Sequence, residues 1–147
     1  MKYLDYPPVW LLAFMTAVYA MARVGLSFAA PPLVPLAGWI LIALGVGLMC
    51  VAAWTMWRHK TTVIPHKRPT AIVTNGVYAL SRNPIYLGDA FTLAGFALLC
   101  GSWMGIVLVP AFMAVIQKRF IIEEEQKLRA GFPQDFSVWA MKTRRWL

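Results

Sequence analysis

VGLSFAAPPLVPLAGWILIALGVGLMCVAAWTMW, residues 24–57, contains no charged side chain, and a second run, residues 90–117, contains none either. Each is long enough to cross a hydrocarbon core roughly 30 Å thick. The whole chain of 147 residues is 60% hydrophobic and 14% charged, with a mean hydropathy of +0.62. A soluble domain of this size does not bury that much apolar surface. The sequence therefore predicts an all-α integral membrane protein.

Working outward from the two runs, four transmembrane helices fit: about Pro8 to Ala30, Leu33 to Trp57, Ile85 to Leu99, and Trp103 to Ile116. The first stretch has no basic n-region before it and is about 22 residues long, more than the ~7–15 of a signal h-region, so it is expected to be a retained span. AAPPLVP, residues 29–35, breaks the first helix from the second. CGSWMG, residues 100–105, supplies the turn between the last two, because one helix over residues 84–117 would run roughly 50 Å at 1.5 Å per residue.

The basic residues check the count. Of 14 Lys and Arg, one is Lys2, five lie between Arg58 and Arg82, seven lie between Lys118 and Arg145, and Arg23 stands apart. Four spans put the first three groups on one side, which the positive-inside rule assigns to the cytoplasm, with both termini. Arg23, near the outer end of the first span, reads as an anchor that snorkels to the interface. The net charge of +8 thus belongs to membrane topology, and no basic-aromatic module indicates nucleic acid. Cys50 and Cys100 lie in apolar runs without ligand spacing, and His59 and His66 have no carboxylate or cysteine near them in sequence, so no metal site and no disulfide framework are expected. The small size suggests a prokaryotic inner membrane, and residues 1–147 read as one membrane domain, a helical hairpin over 1–57 followed by a core over 58–147.

Two polar segments remain, a connector of about 25 residues and a tail of about 30. In the connector, Asn75-Gly76 is able to form a tight hairpin or part of an irregular lid. Asn83-Pro84 has the form of an N-cap and first helical position, and the helix start it makes is able to bind an anionic group. Gly88, one turn in, allows close approach of a ligand or a second helix. Asp89 lies about 8 Å along that helix, where an acid is costly unless paired or hydrated, so it is a candidate for function. In the tail, KRFIIEEEQKLRAGF continues the fourth helix. Glu123 and Glu125 have Lys127 and Arg129 four residues on, the arrangement of solvated pairs. Glu124 has Phe120 and Leu128 at those positions, so its carboxylate shares the apolar face and needs a cation or donors. After Gly131 a short amphipathic helix is expected, with Phe136, Trp139 and Met141 on protein or lipid and Arg144 and Arg145 toward head groups. Tail and connector together are expected to close a pocket open to a soluble cofactor and to a lipophilic substrate.

Thr74-Asn75-Gly76-Val77-Tyr78, then Ser81-Arg82-Asn83-Pro84-Ile85-Tyr86-Leu87-Gly88, a helical hairpin, Arg119-Phe120, and Glu124-Glu125-Gln126-Lys127-Leu128 before Phe132 form an ordered set. It resembles the isoprenylcysteine carboxyl methyltransferases and their phospholipid-methyltransferase relatives over about residues 60–147. The resemblance implies an integral-membrane enzyme that uses S-adenosylmethionine without a Rossmann domain, and the chain has no glycine-rich strand-turn-helix fingerprint. It further implies a cofactor pocket lined by Gly76, Tyr78, Asn83, Pro84, Tyr86, Leu87 and Gly88, with Glu124 and Glu125 on the cofactor's polar groups. The sequence departs from the carboxyl methyltransferases at Asn83, where His is usual, at Pro133, where Gly is usual, and at Phe136 and Trp139, where tyrosines are customary; these changes bear on the substrate more than on the cofactor.

Methyl transfer from a sulfonium depends mainly on positioning and exclusion of water. Arg119 and Glu124 are the candidate catalytic residues, and Arg82, Asp89 and Arg119 the candidate substrate contacts, the arginines by bidentate pairing with an anionic acceptor. The expected partners are a lipid or lipophilic small molecule and the membrane itself. Two other readings use the same residues differently: an NADPH-dependent membrane reductase of the sterol-reductase kind, distinguished by NADPH binding, and a non-catalytic lipid-binding scaffold, indifferent to both cofactors and to Glu124→Ala.

Overall fold

The computed structural model describes residues 6–25, 27, 31–61 and 70–147. Lys2, His66, Lys67 and Arg68, used above for topology and as a possible ligand, lie outside the described residues. The described residues form α-helices with no β-strand: α1 (Pro7–Arg23), α2 (Leu33–Arg58), α3 (Pro84–Leu99), α4 (Trp103–Ile116), α5 (Ile122–Gly131) and α6 (Pro133–Lys142). Two helical stretches, Leu33–Arg58 and Trp103–Gly131, are long and apolar enough to cross a membrane, and α3 is a shorter apolar helix.

The first helix is shorter than expected. It ends at Arg23, where Val24 N–H still bonds to Ala20 O and Gly25 takes φ +89°, a left-handed conformation that suits glycine and stops a helix. α3 and α4 lie close to where composition put them. Between them Gly101 has φ +58° and Ser102 caps α4, its Oγ accepting from Gly105 N at 3.1 Å, the interaction a serine N-cap offers.

α2 and α3 are held by glycines. Gly38 and Gly45 of α2 face Gly95 and Gly88 of α3: a Cβ built on Gly45 would sit 2.5 Å from Gly88 O, and one on Gly95 would sit 2.5 Å from Gly38 O. Seven-residue spacing on both helices keeps these small residues on one seam, so the backbones approach as larger side chains would forbid. The opposite side of α3 packs against α1 and α4 in a core of Val18, Tyr86, Ala90, Leu93, Ala97, Phe112 and Ile116.

α4 runs into α5 through a π turn, Gln117–Ile121. The wider turn inserts a residue into the helical repeat. The buried stripe runs Phe112, Ile116 and Phe120, takes in the adjacent Ile121, and continues from there to Glu125, one residue out of the earlier register.

Candidate functional site

Asn75-Gly76 does not form the tight hairpin. Gly76, at φ +60°, opens a 3₁₀ turn, Gly76–Ala79, which buries Tyr78 in a cluster with Ala52, Val73, Phe136 and Trp139. Trp139 Nε1 donates to Tyr78 O at 2.8 Å, so α6 clamps the turn. Among the described residues the Tyr78 hydroxyl has no hydrogen-bond partner. Burial, aided by the negative charge of Glu124, pushes it well above the ordinary tyrosine range. Beyond the turn, a cleft of about 440 Å³ is lined by Trp54, Thr55, Arg58, His59, Asn75 and Gly76.

Asn83 and Pro84 start α3 as expected, but Asn83 makes no side-chain cap. Its Nδ2 instead donates to Arg145 O at 2.9 Å. The reason is the C-terminal segment, which runs back across the helix start: Arg82 N donates to Arg144 O at 3.0 Å and Thr143 Oγ1 to Ala79 O at 3.3 Å.

The acids of α5 divide differently from their local spacing. Glu123 pairs with Lys127 at 2.6 Å as expected. Glu125 does not form the solvated pair with Arg129; it is buried, and Arg145 grips it through Nε at 2.9 Å and Nη2 at 2.8 Å, with Arg82 Nη1 at 3.4 Å. The π turn carries Glu125 inward, and Arg129 lies over the Phe136 ring at 5.3 Å. Arg145 thus faces a carboxylate rather than head groups, and Met141 is 80% exposed, which leaves it to the lipid side of the expectation. Bonding to Glu125 raises the Arg145 guanidinium's affinity for its proton. Burial lowers that of Arg82, partly offset by Glu125 and reinforced by Arg145 and Arg129, and Arg82 Nε has no hydrogen-bond partner among the described residues.

Glu124 is half-buried and accepts from the Tyr86 hydroxyl at 2.6 Å, a charge-assisted bond across 38 residues of sequence. The structure thus joins Tyr86 with Glu124, and Arg82 and Asn83 with the Arg145–Glu125 group. Leu87 and Pro84 are buried, and Gly88 turns to Gly45 of α2, so a second helix makes the close approach there. Arg119 is exposed with its guanidinium over the Trp10 ring at 4.9 Å, on the side of α1. Asp89 is 5% exposed. The described residues contain no cluster of His, Cys, Asp or Glu able to hold a metal. Arg145, Trp139 and Ser81, whose Oγ receives Asn83 N at 3.2 Å, join these residues in the structure although the sequence did not single them out as site residues.

The family model of the phospholipid methyltransferases matches residues 33–135, from the start of α2 through the paired glutamates to the start of α6. The chain belongs to the phospholipid methyltransferase family. That is the second of the two relatives in the resemblance above, and it carries a methyltransferase assignment for the chain with a phospholipid-like acceptor. Comparison with curated proteins gives no match, and comparison with solved structures gives none. The matched region holds Tyr86, Glu124 and Glu125, whereas Arg145 lies beyond it.

Proposed function

We propose that the protein transfers a methyl group from S-adenosylmethionine to a lipid head group at the cytoplasmic face of the membrane, with α1, α2, α3 and the α4–α5 helix as four spans and both termini cytoplasmic. Residues 1–147 act as one membrane domain. The observation that carries the reading is the meeting of Tyr86 and Glu124 at 2.6 Å, with the Tyr78 hydroxyl buried within the field of Glu124 and without a hydrogen-bond partner among the described residues.

Those residues fit the cofactor by chemistry. It carries a sulfonium, an ammonium and a carboxylate, and when bound it supplies an electrophilic methyl group. Glu124 would hold a cationic group of it, with Tyr86 fixing the carboxylate's orientation. Arg82 and Tyr78 offer unused donors to an anionic or neutral acceptor group. Glu125 supports the pocket by tying Arg82 and Arg145 to α5. Gly76, Asn83, Pro84, Leu87 and Gly88 shape the wall that holds Tyr78 and Tyr86. Arg119, on the α1 side, is placed to meet an anionic lipid group at the rim.

Calorimetric titration of the detergent-purified protein with S-adenosylhomocysteine tests this, beside Glu124→Gln and an NADPH control. Wild type is expected to bind, and loss of a charged hydrogen-bond acceptor to weaken binding about 10- to 100-fold. A folded wild type that binds NADPH and not S-adenosylhomocysteine would establish the reductase reading instead.

A further inference from the structure

Arg145 reaches two elements at once. Its guanidinium holds the Glu125 carboxylate of α5 through Nε at 2.9 Å and Nη2 at 2.8 Å. At the start of α3, its carbonyl oxygen accepts from Asn83 Nδ2 at 2.9 Å and from Ser81 Oγ at 3.4 Å. A carbonyl oxygen has two lone pairs, and both are used here. The flanking residues fasten the same segment: Arg82 N donates to Arg144 O at 3.0 Å, and Trp146 Nε1 donates to Gln117 Oε1 of the π turn at 3.0 Å. Arg145 lies outside residues 33–135, so the family match assigns it nothing.

Both anchor points adjoin the Tyr86–Glu124 contact. Asn83 precedes Tyr86 by three residues, and its own carbonyl accepts from Leu87 N at 3.0 Å, closing the turn that carries the tyrosine. Glu125 follows Glu124 directly, so a rotation of α5 about its axis moves both carboxylates. At a side-chain radius of ~5–6 Å, a roll of about 10° displaces a carboxylate by about 1 Å. That stretches the 2.6 Å bond from Tyr86 Oη to about 3.6 Å, beyond hydrogen-bond range. Glu125 is 9% exposed, and without Arg145 it keeps Arg82 at 3.4 Å. A buried carboxylate short of partners is driven toward water, and a roll of α5 takes it there.

We propose that Arg145 is a positioning residue for methyl transfer: it locks α5 to the first turn of α3 in the register that keeps Glu124 against Tyr86. It acts on the cofactor site through that pair. The proposal rests on the reading that Glu124 holds a cationic group of S-adenosylmethionine, and it adds what fixes that carboxylate in place.

The test is a double-mutant cycle on S-adenosylhomocysteine affinity, measured by calorimetry on the full chain in detergent, with the melting midpoint of each sample taken without ligand. Arg145→Ala and Tyr86→Phe are each expected to weaken binding about 10-fold, the loss of one hydrogen bond to a charged group. The double variant is expected to lose about 10-fold as well, where independent effects would multiply to about 100-fold. Arg145→Lys keeps the charge without the fork and is read in place of Arg145→Ala if the latter does not fold. It is expected to bind about 3- to 10-fold more weakly than wild type, again with no further loss when combined with Tyr86→Phe. Trp146→Phe cuts the neighbouring tie to Gln117 and is expected to lower the midpoint while binding as wild type does. Multiplying losses in the double variant overturn the proposal, as does an arginine variant that binds as wild type does; either leaves the methyltransferase reading standing. A Trp146→Phe variant that loses as much affinity as Arg145→Ala also overturns it, since general loosening of the segment would then suffice. Failure of a folded wild type to bind S-adenosylhomocysteine removes the parent reading and the proposal with it.

Discussion

Gly45 and Gly47 stand two residues apart on α2, and replacing each with alanine should give opposite results. A Cβ at Gly45 would sit 2.5 Å from Gly88 O and 2.6 Å from Thr92 Oγ1, whereas one at Gly47 would meet nothing within 4 Å. The Gly88 oxygen is backbone and has no rotamer to adopt. Relief requires α2 and α3 to part by about 0.9 Å, from 2.5 Å to the 3.4 Å at which ordinary contact begins. A gap of that size forfeits roughly a quarter to a half of the dispersion energy along the seam. Alanine improves helix propensity by about 1 kcal/mol at both positions, so the difference between the variants isolates the steric term, about 1–3 kcal/mol for overpacking. At about 2–4 °C per kcal/mol for a chain near this size, Gly45→Ala should melt about 2–12 °C below Gly47→Ala. Thermal unfolding followed by tryptophan fluorescence in one detergent measures it. Equal midpoints, or a more stable Gly45→Ala, would refute the close glycine seam and with it the placement of Tyr86 opposite Glu124.

Arg145→Ala removes both short bonds to Glu125 and leaves Arg82 at 3.4 Å; a loss of about 1–3 kcal/mol is expected in the same melt. Arg145→Lys should recover only part of it, because a single ammonium does not reproduce the fork. Tyr78→Phe removes a buried hydroxyl without a partner and should raise the midpoint slightly while weakening S-adenosylhomocysteine binding. It should also flatten the alkaline limb. The folded-state value of Tyr78 is raised above the ordinary 10.0, so the unfolded chain loses its proton first. The resulting stability is complete below about pH 10 and is lost above it at up to about 1.4 kcal/mol per pH unit. Wild type should show this extra slope relative to Tyr78→Phe in melts taken from pH 9 to 11, about one unit either side of the ordinary tyrosine value, and parallel curves would contradict it.

Much of the fold was legible because its determinants are local. Two uncharged runs, the proline break and CGSWMG locate α2, α3 and α4 through burial in lipid and through turn chemistry. Asn83-Pro84 marks the start of α3, and the motif from Thr74 to Gly88 with the paired glutamates named Tyr86 and Glu124 before their contact was known. Each of these statements needs only neighbouring residues.

Other features are decided by pairs far apart in the chain. The spacing of Glu125 and Arg129 is that of a solvated pair, yet the π turn rotates Glu125 inward and Arg145, 20 residues on, captures it. Asn83 carries the composition of a cap, but a carbonyl 62 residues away claims its amide. Gly88 was compatible with a ligand or a helix, and only the register of α2 against α3 chooses the helix. By itself, then, the sequence determined where helices form and which residues are candidates for chemistry, since periodicity, turn residues and desolvation cost act over a few residues. Tertiary structure alone decided which acid is buried and which arginine it holds, because ion pairing and close packing depend on distances that one turn of helix changes by several ångströms.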